Sequence, residues 1–250
     1  MDEFKLLVDL HKSHERQGPG AELETRKAID LTGINATTRL KIADIGCGTG
    51  ASSLILAKSL NAEITAVDFL EEFLVVLRER AKKESVSEKI KTLCCSMESL
   101  PFNDQEFDII WSEGAIYNIG FKKGIKEWRQ FLKPGGLLVA SEITWTTARR
   151  PQEIQQHWES EYPEINTASA KIQQLEESDY SPIGYFTLPE SCWLDNYYQP
   201  IEKSLEDFLK RHDNCERATE IAEAERQEIA LYKKYKDYYS YGFYVARKLN

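Results

Sequence analysis

The chain has 250 residues, 42% of them hydrophobic, and a formal net charge of −9. That length fills one α/β core with additions, and the acidic balance, with Lys and Arg scattered along the chain, disfavours duplex nucleic acid and anionic membrane surfaces as partners. Five cysteines, Cys47, Cys94, Cys95, Cys192 and Cys215, are odd in number and contain no CxxC pair, which argues against a disulfide framework and a thiolate zinc site.

The opening MDEFKLLVDLHKSHE is acidic and amphipathic, unlike a basic-then-apolar leader, and no apolar run has the length to span a bilayer, so a soluble protein of the reducing cytoplasm is expected. Phe4, Leu7, Val8 and Leu10 predict a helix over residues 3 to 12. A second runs from Ala21 to Leu31 and ends before Gly33, a natural C′ residue. These N-terminal helices, residues 1–34, are joined by RQGPG. Strand-like and helix-like runs then alternate: KIADI, SSLILAKSL, EITAVDF, EEFLVVLRERAKK, KIKTLCCS, FDIIWSEG, GIKEWRQFL and GLLVASEITW. Short apolar strands alternating with helices imply a mainly parallel sheet covered on both faces, with ligands at the carboxyl rim beside the first strand.

After Trp145 the alternation stops. Residues 148–180 read as polar helices with aromatic anchors, a cap insertion over the acceptor side of a single domain, residues 1–250. GYFTLP then offers a strand, CWLDNYYQPIEKSLEDFL and a charged stretch from Glu216 to Lys236 predict helices, and YYSYGFYVARKL closes as a strand.

Gly46, Gly48 and Gly50 leave the first strand and open a helix near Ala51. Glycine there permits positive φ and lets a ligand approach the backbone. Gly46, Gly48 and Ala51 fit the G-x-G-x-x-G/A pattern, and Asp68 follows at the end of the second strand, which would also suit a nicotinamide dinucleotide. Asp44, two residues before the first glycine, opposes that: its carboxylate repels a pyrophosphate and welcomes a cationic ligand. Pro134, Gly135 and Gly136 in LKPGG predict a tight turn ahead of the fifth strand.

With ADIGCGTG (43–50), AVDF (66–69), CSMESLPF (95–102), FDIIWSEGAIYNIGF (107–121) and LKPGG (132–136) in hand, the sequence resembles the class I S-adenosylmethionine-dependent methyltransferases. It is most similar to small-molecule enzymes of the ubiquinone-biosynthesis-like type over residues 14 to 145, and departs from them across the cap. The resemblance implies a Rossmann-like, seven-stranded mixed sheet of order 3-2-1-4-5-7-6 with strand seven antiparallel and helices on both faces. It also implies S-adenosyl-L-methionine as cofactor. Under it, Gly46, Cys47, Gly48 and Gly50 line the methionine and ribose portions, Asp44 lies near the methionine amino group, and Asp68 accepts both ribose hydroxyls. Phe69 packs on adenine, Ser96, Met97 and Glu98 bracket its edge, Ser112 and Glu113 approach the sulfonium, and Arg16 and Gln17 touch the carboxylate.

Methyl transfer is an in-line displacement that depends mostly on orientation. A general base, where needed, is sought among Glu113, Tyr117 and Glu142. Tyr117, Phe121, Trp145, Trp158, Tyr162 and Tyr180 are the aromatic walls expected around a small-molecule acceptor, with His157 within reach. His11 and His14 read as a solvated pair without a third metal ligand, and Cys94 and Cys95 as buried, inert thiols. The reading therefore expects a methyltransferase acting on a small molecule at O, N or C, with neither nucleic acid nor membrane as partner, and is compatible with a homodimer. A nicotinamide-dependent oxidoreductase and a non-catalytic cofactor-binding regulator are the alternatives.

Overall fold

Four short apolar runs form the parallel half of one sheet: β1 (Leu40–Ile45), β2 (Ala62–Asp68), β3 (Ile90–Cys94) and β4 (Phe107–Glu113). The computed structural model describes residues 3–250, so the first two residues of the expected N-terminal segment lie outside it. β1 is buried at every position but Lys41, the pattern of a strand covered on both faces. α3 (Ala51–Ser59) and α4 (Glu71–Lys83) make the crossovers between β1, β2 and β3. α5 (Phe121–Trp128) leads into β5 (Leu132–Trp145), which runs parallel to β4, and β8 (Tyr239–Lys248) pairs antiparallel with both β5 and β7 (Tyr180–Thr187). The order β3-β2-β1-β4-β5-β8-β7 is the expected one, with β7 and β8 in the places of the sixth and seventh strands, and a two-residue β6 (Asn166–Thr167) adds to the end of β5.

LKPGG departs from the expected turn. Phe107 pairs with Leu132 and Ile109 with Leu137, so β5 bulges across Lys133–Gly136 inside its ladder, with Gly135 at φ +71°. Pro134 brings no backbone donor to the ladder, which the bulge accommodates.

Alternation along the strands sorts the sheet into two faces. Ile109, Trp111 and Ile143 join one core with α3 and α4; Ile110, Leu138 and Ala140 join the other with Phe121 and Ile125 of α5. The segment 148–180 divides between these surroundings. α6 (Gln152–Glu161) sits at the strand exits, whereas α7 (Ala168–Glu177) packs on α5 and β7 through Leu175 and Ile172, so it covers the sheet rather than the acceptor side. α1 (Glu3–His11) lies against α9 (Gln199–Arg211) and α10 (Glu216–Tyr235), and α2 (Glu22–Thr32) ends at left-handed Gly33. His11 and His14 are tied into this packing: Nε2 of His11 is 3.0 Å from Glu225 and Nε2 of His14 is 3.1 Å from Ser204. Burial lowers the His14 pKa, and the expected solvated pair is replaced by two interhelical contacts.

Two buried carboxylates brace this framework. Asp44 is wholly enclosed, and its Oδ2 accepts hydrogen bonds from Ser52 (2.7 Å) and Ser53 (2.5 Å), which ties β1 to the first turn of α3. Burial pushes its carboxyl up to about 7, against the two hydroxyls that favour ionisation. Glu142, on the opposite side of β5 from Ile143, is fully enclosed and pairs at 2.8 Å with the equally enclosed Lys171 of α7, whose ammonium stands 4.7 Å from the centre of the Phe121 ring.

A carboxyl whose folded-state pKa is raised favours the folded chain at low pH and disfavours it as pH climbs, because the unfolded chain releases its proton first. Asp44→Asn is therefore expected to unfold at higher urea than the parent at about pH 8 and to lose that advantage near pH 4, each pH unit between changing the difference by about 1.4 kcal/mol. An advantage independent of pH would show that Asp44 ionises normally. Lys171→Met should destabilise the fold by about 3 to 5 kcal/mol by stranding a buried carboxylate, and adding Glu142→Leu should restore most of it, as read by urea denaturation at neutral pH.

Candidate active site

The loop after β1 is fixed before any ligand arrives. The N–H groups of Gly46 and Cys47 both donate to the Val67 carbonyl, at 2.8 and 2.9 Å, which folds the loop back on β2. Gly48 N–H then donates at 2.8 Å to Oδ2 of Asp68, whose Oδ1 accepts from Leu70 N–H at 2.9 Å. Burial raises the Asp68 pKa, partly offset by these amide donors. Gly48 has φ +55°, and a Cβ there would stand 2.5 Å from Oε1 of Gln17; at Gly46, with φ +75°, it would run into the Ala115 methyl. Both positions need glycine for backbone geometry and for space. Gln17 closes the loop from above: its Oε1 accepts from Thr49 N–H at 2.8 Å while its Nε2 donates to the carbonyls of His11 and His14.

A cavity of about 490 Å³ opens beneath these residues. Of the expected cofactor residues, it is lined by Arg16, Gln17, Gly46, Cys47, Gly48, Asp68, Phe69, Ser96, Met97, Glu98 and Glu113, and Cys95 joins them. Phe69 is 67% exposed at its mouth, a flat apolar face open to a planar ligand. Cys94 is exposed and Cys95 half-buried, so neither is the enclosed thiol expected. Glu98 turns its carboxylate to Lys123 at 2.7 Å.

Several expected roles change. Asp44 has no face on the cavity, because its carboxylate is sealed under α3 by Ser52 and Ser53. Gly50 lies against Leu77 of α4, which makes it a packing glycine. Ser112 points to the other face of β4, where its hydroxyl donates to the Ile45 carbonyl at 2.9 Å. Glu142 is removed from the bases, since Lys171 pairs with it inside the core and it borders neither cavity. Glu113 is at the rim, but its carboxylate already receives Arg16 Nη1 (2.9 Å), the Thr25 hydroxyl (2.8 Å) and Trp111 Nε1 (2.9 Å), so it braces the loop with Arg16.

A second cavity of about 620 Å³ adjoins the first, and Gln17, Gly18, Pro19, Gly114 and Tyr117 border both. Tyr117, Trp158, Tyr162 and His157 line it as expected. Phe121 and Tyr180 instead belong to the α5 core, and Trp145 is buried against Tyr239. Most of the remaining wall was not anticipated: Trp193, Tyr197 and Tyr198 after β7, Gln227, Glu228 and Leu231 of α10, and Tyr239 and Tyr241 of β8. Ala224, Gln227, Glu228 and Leu231 follow a one-face helical spacing, the only sign of this wall in the sequence. The Tyr198 hydroxyl donates to Oε1 of Glu228 at 3.0 Å. Burial, and then the charge of Glu228, raise the Tyr117 pKa, so this phenol stays protonated and acts as a donor. The side chain is 38% exposed and borders both cavities.

The first cavity suits an adenosyl sulfonium. It has bare backbone at Gly46 and Gly48, a carboxylate at the end of β2 with free lone pairs, and a flat apolar face in Phe69. The one cation among its described lining residues, Arg16, is already paired with Glu113, while Asp68 adds negative charge, an arrangement that repels a pyrophosphate. Among the described residues no cluster of metal-ligating side chains occurs and no helix is long and apolar enough to cross a membrane.

Residues 42–136 match the family model of a methyltransferase domain. A demethylmenaquinone methyltransferase from Staphylococcus aureus is 32% identical over 111 residues, 43% of this chain and 45% of that protein. An uncharacterised protein from Haemophilus influenzae is 30% identical over 140 residues, 55% of this chain and 54% of the other. The chain thus spans about half the length of the curated relatives it matches. Among solved structures, a SAM-dependent methyltransferase from Geobacter sulfurreducens in complex with S-adenosyl-L-homocysteine superposes with a TM-score of 0.84 at 16% identity, covering 97% of each chain. Residues 42–136 are therefore a methyltransferase domain, and the chain carries the fold of the class I S-adenosylmethionine-dependent methyltransferases.

Proposed function

We propose that this protein transfers a methyl group from S-adenosylmethionine to a small molecule held in the aromatic cavity. One observation carries the reading: the cavity over the glycine loop and the aromatic cavity meet at Gly114 and Tyr117, beyond the carboxyl end of β4. A donor above Asp68 and an acceptor among the tyrosines therefore face each other across that junction.

In this reading Asp68 accepts from the ribose hydroxyls, Phe69 covers the adenine, and Ser96, Met97 and Glu98 border its edge. Gln17 keeps the loop closed, and Arg16 acts through Glu113 to hold the wall near the junction. Bound there, S-adenosylmethionine supplies an electrophilic methyl on a sulfonium leaving group. The chain's part is to align a nucleophile behind that methyl and to exclude water, a task for which orientation is worth about 7 to 11 kcal/mol. The Tyr117 hydroxyl suits this as a donor that orients the acceptor.

Incubation with methyl-labelled S-adenosylmethionine and a metabolite extract is expected to move label into a small molecule. Cofactor binding with no label above background would favour a non-catalytic regulator, and binding of NADH but not S-adenosylhomocysteine a nicotinamide enzyme. Asp68→Ala should weaken S-adenosylhomocysteine binding by about 1.5 to 3 kcal/mol by calorimetry, the range for hydrogen bonds to a charged acceptor. Unchanged affinity would remove the ribose assignment.

A further inference from the structure

The walls of the aromatic cavity carry more chemistry than apolar packing requires. Glu161 and Glu228 line it, and no Lys or Arg does among the described residues, so an anionic acceptor would find no counter-ion. Glu228 sits amid tyrosines: Tyr198 donates to it at 3.0 Å, and its charge bears on Tyr117, Tyr197, Tyr239 and Tyr241. A carboxylate flanked by aromatic rings is a setting that binds cations, because the ring faces and the acid attract the same charge.

We propose that the acceptor is a basic small molecule with an aromatic-sized apolar body and an amine, its protonated nitrogen seated among these tyrosine rings against the Glu228 carboxylate. This rests on the methyl-transfer reading of the same site. Glu228 is open to the cavity and receives the Tyr198 hydroxyl; a neutral phenol or quinol would bring it no charge, whereas an ammonium held against the ring faces would. The neighbouring Glu225 does not serve in that way, since its Oε1 already meets His11 at 3.0 Å. Burial, and then Glu225, push the Glu228 carboxyl up, so it also suits the next requirement. An ammonium cannot act as a nucleophile. When its N–H proton passes to an oxygen of Glu228, the nitrogen becomes neutral with a free lone pair and the carboxylate becomes an uncharged acid.

Three indoles of nearly equal shape provide the test: tryptamine, an ammonium; indole-3-ethanol, neutral; and indole-3-acetate, an anion. Calorimetry is run on the full chain with and without saturating S-adenosylhomocysteine. Tryptamine is expected to bind at least about tenfold more tightly than either analogue, and Glu228→Gln, which keeps the Tyr198 hydrogen bond, to abolish that preference while S-adenosylhomocysteine affinity is unchanged. Equal affinities, a preference for the carboxylate, no tryptamine binding at millimolar concentration, or a preference that survives Glu228→Gln would each overturn the proposal. Absence of S-adenosylhomocysteine binding overturns the cofactor reading itself, and the arm without it shows separately whether the cavity selects cations.

Discussion

The Asp68 carboxylate accepts one backbone amide from the loop after β1 and another from the residues after β2, and the arrangement of the site follows from that shared anchor. Adjacent parallel strands bring their carboxyl ends to one rim, but they do not decide which backbone groups turn toward a ligand. Here the Val67 carbonyl takes two amides of the glycine loop and Asp68 takes a third, so the loop is bent before a cofactor arrives. Preorganisation of this kind lowers the ordering entropy a ligand must overcome, and it explains why bulk is excluded at Gly46 and Gly48 in particular.

Strand geometry separates binding groups from structural ones. Glu113 and Glu142 both lie near the exits of central strands, and both are acids that a base assignment would choose. Their fates differ because each points to a different side: Glu113 emerges on the face of Trp111, beside the loop and Arg16, while Glu142 enters the core shared with α5 and is paired with Lys171. Asp44 and Ser112 are drawn inward in the same manner, one by two serines and the other by a main-chain carbonyl.

This division sets how much was legible in the sequence. The alternating runs up to Trp145, the glycine loop and the acid ending AVDF were readable because each is local: a strand period, a spacing of glycines and a position at a strand end. Strand order came through the resemblance, and the observed sheet agrees with it. Inward or outward orientation was not readable, since one residue of register reverses it. The bulge at Lys133–Gly136 reads as a turn in the sequence because Pro-Gly-Gly is compatible with either. The far wall was least legible. Tyr197, Glu228 and Tyr241 are 44 positions apart from first to last, and only tertiary packing of α10 and β8 gathers them around one space.

Gln17 has a consequence beyond the loop it clasps. Its amide joins the carbonyls at the end of α1 to Thr49, while His11 of the same helix reaches Glu225, three residues before Glu228. The amino-terminal helix is thereby tethered both to the glycine loop and to the helix that carries Glu228. Displacing it would release the Gln17 clasp on the loop and the His11 contact on Glu225 together, so the positions of the glycine loop and of the helix bearing Glu228 are set by one and the same short segment.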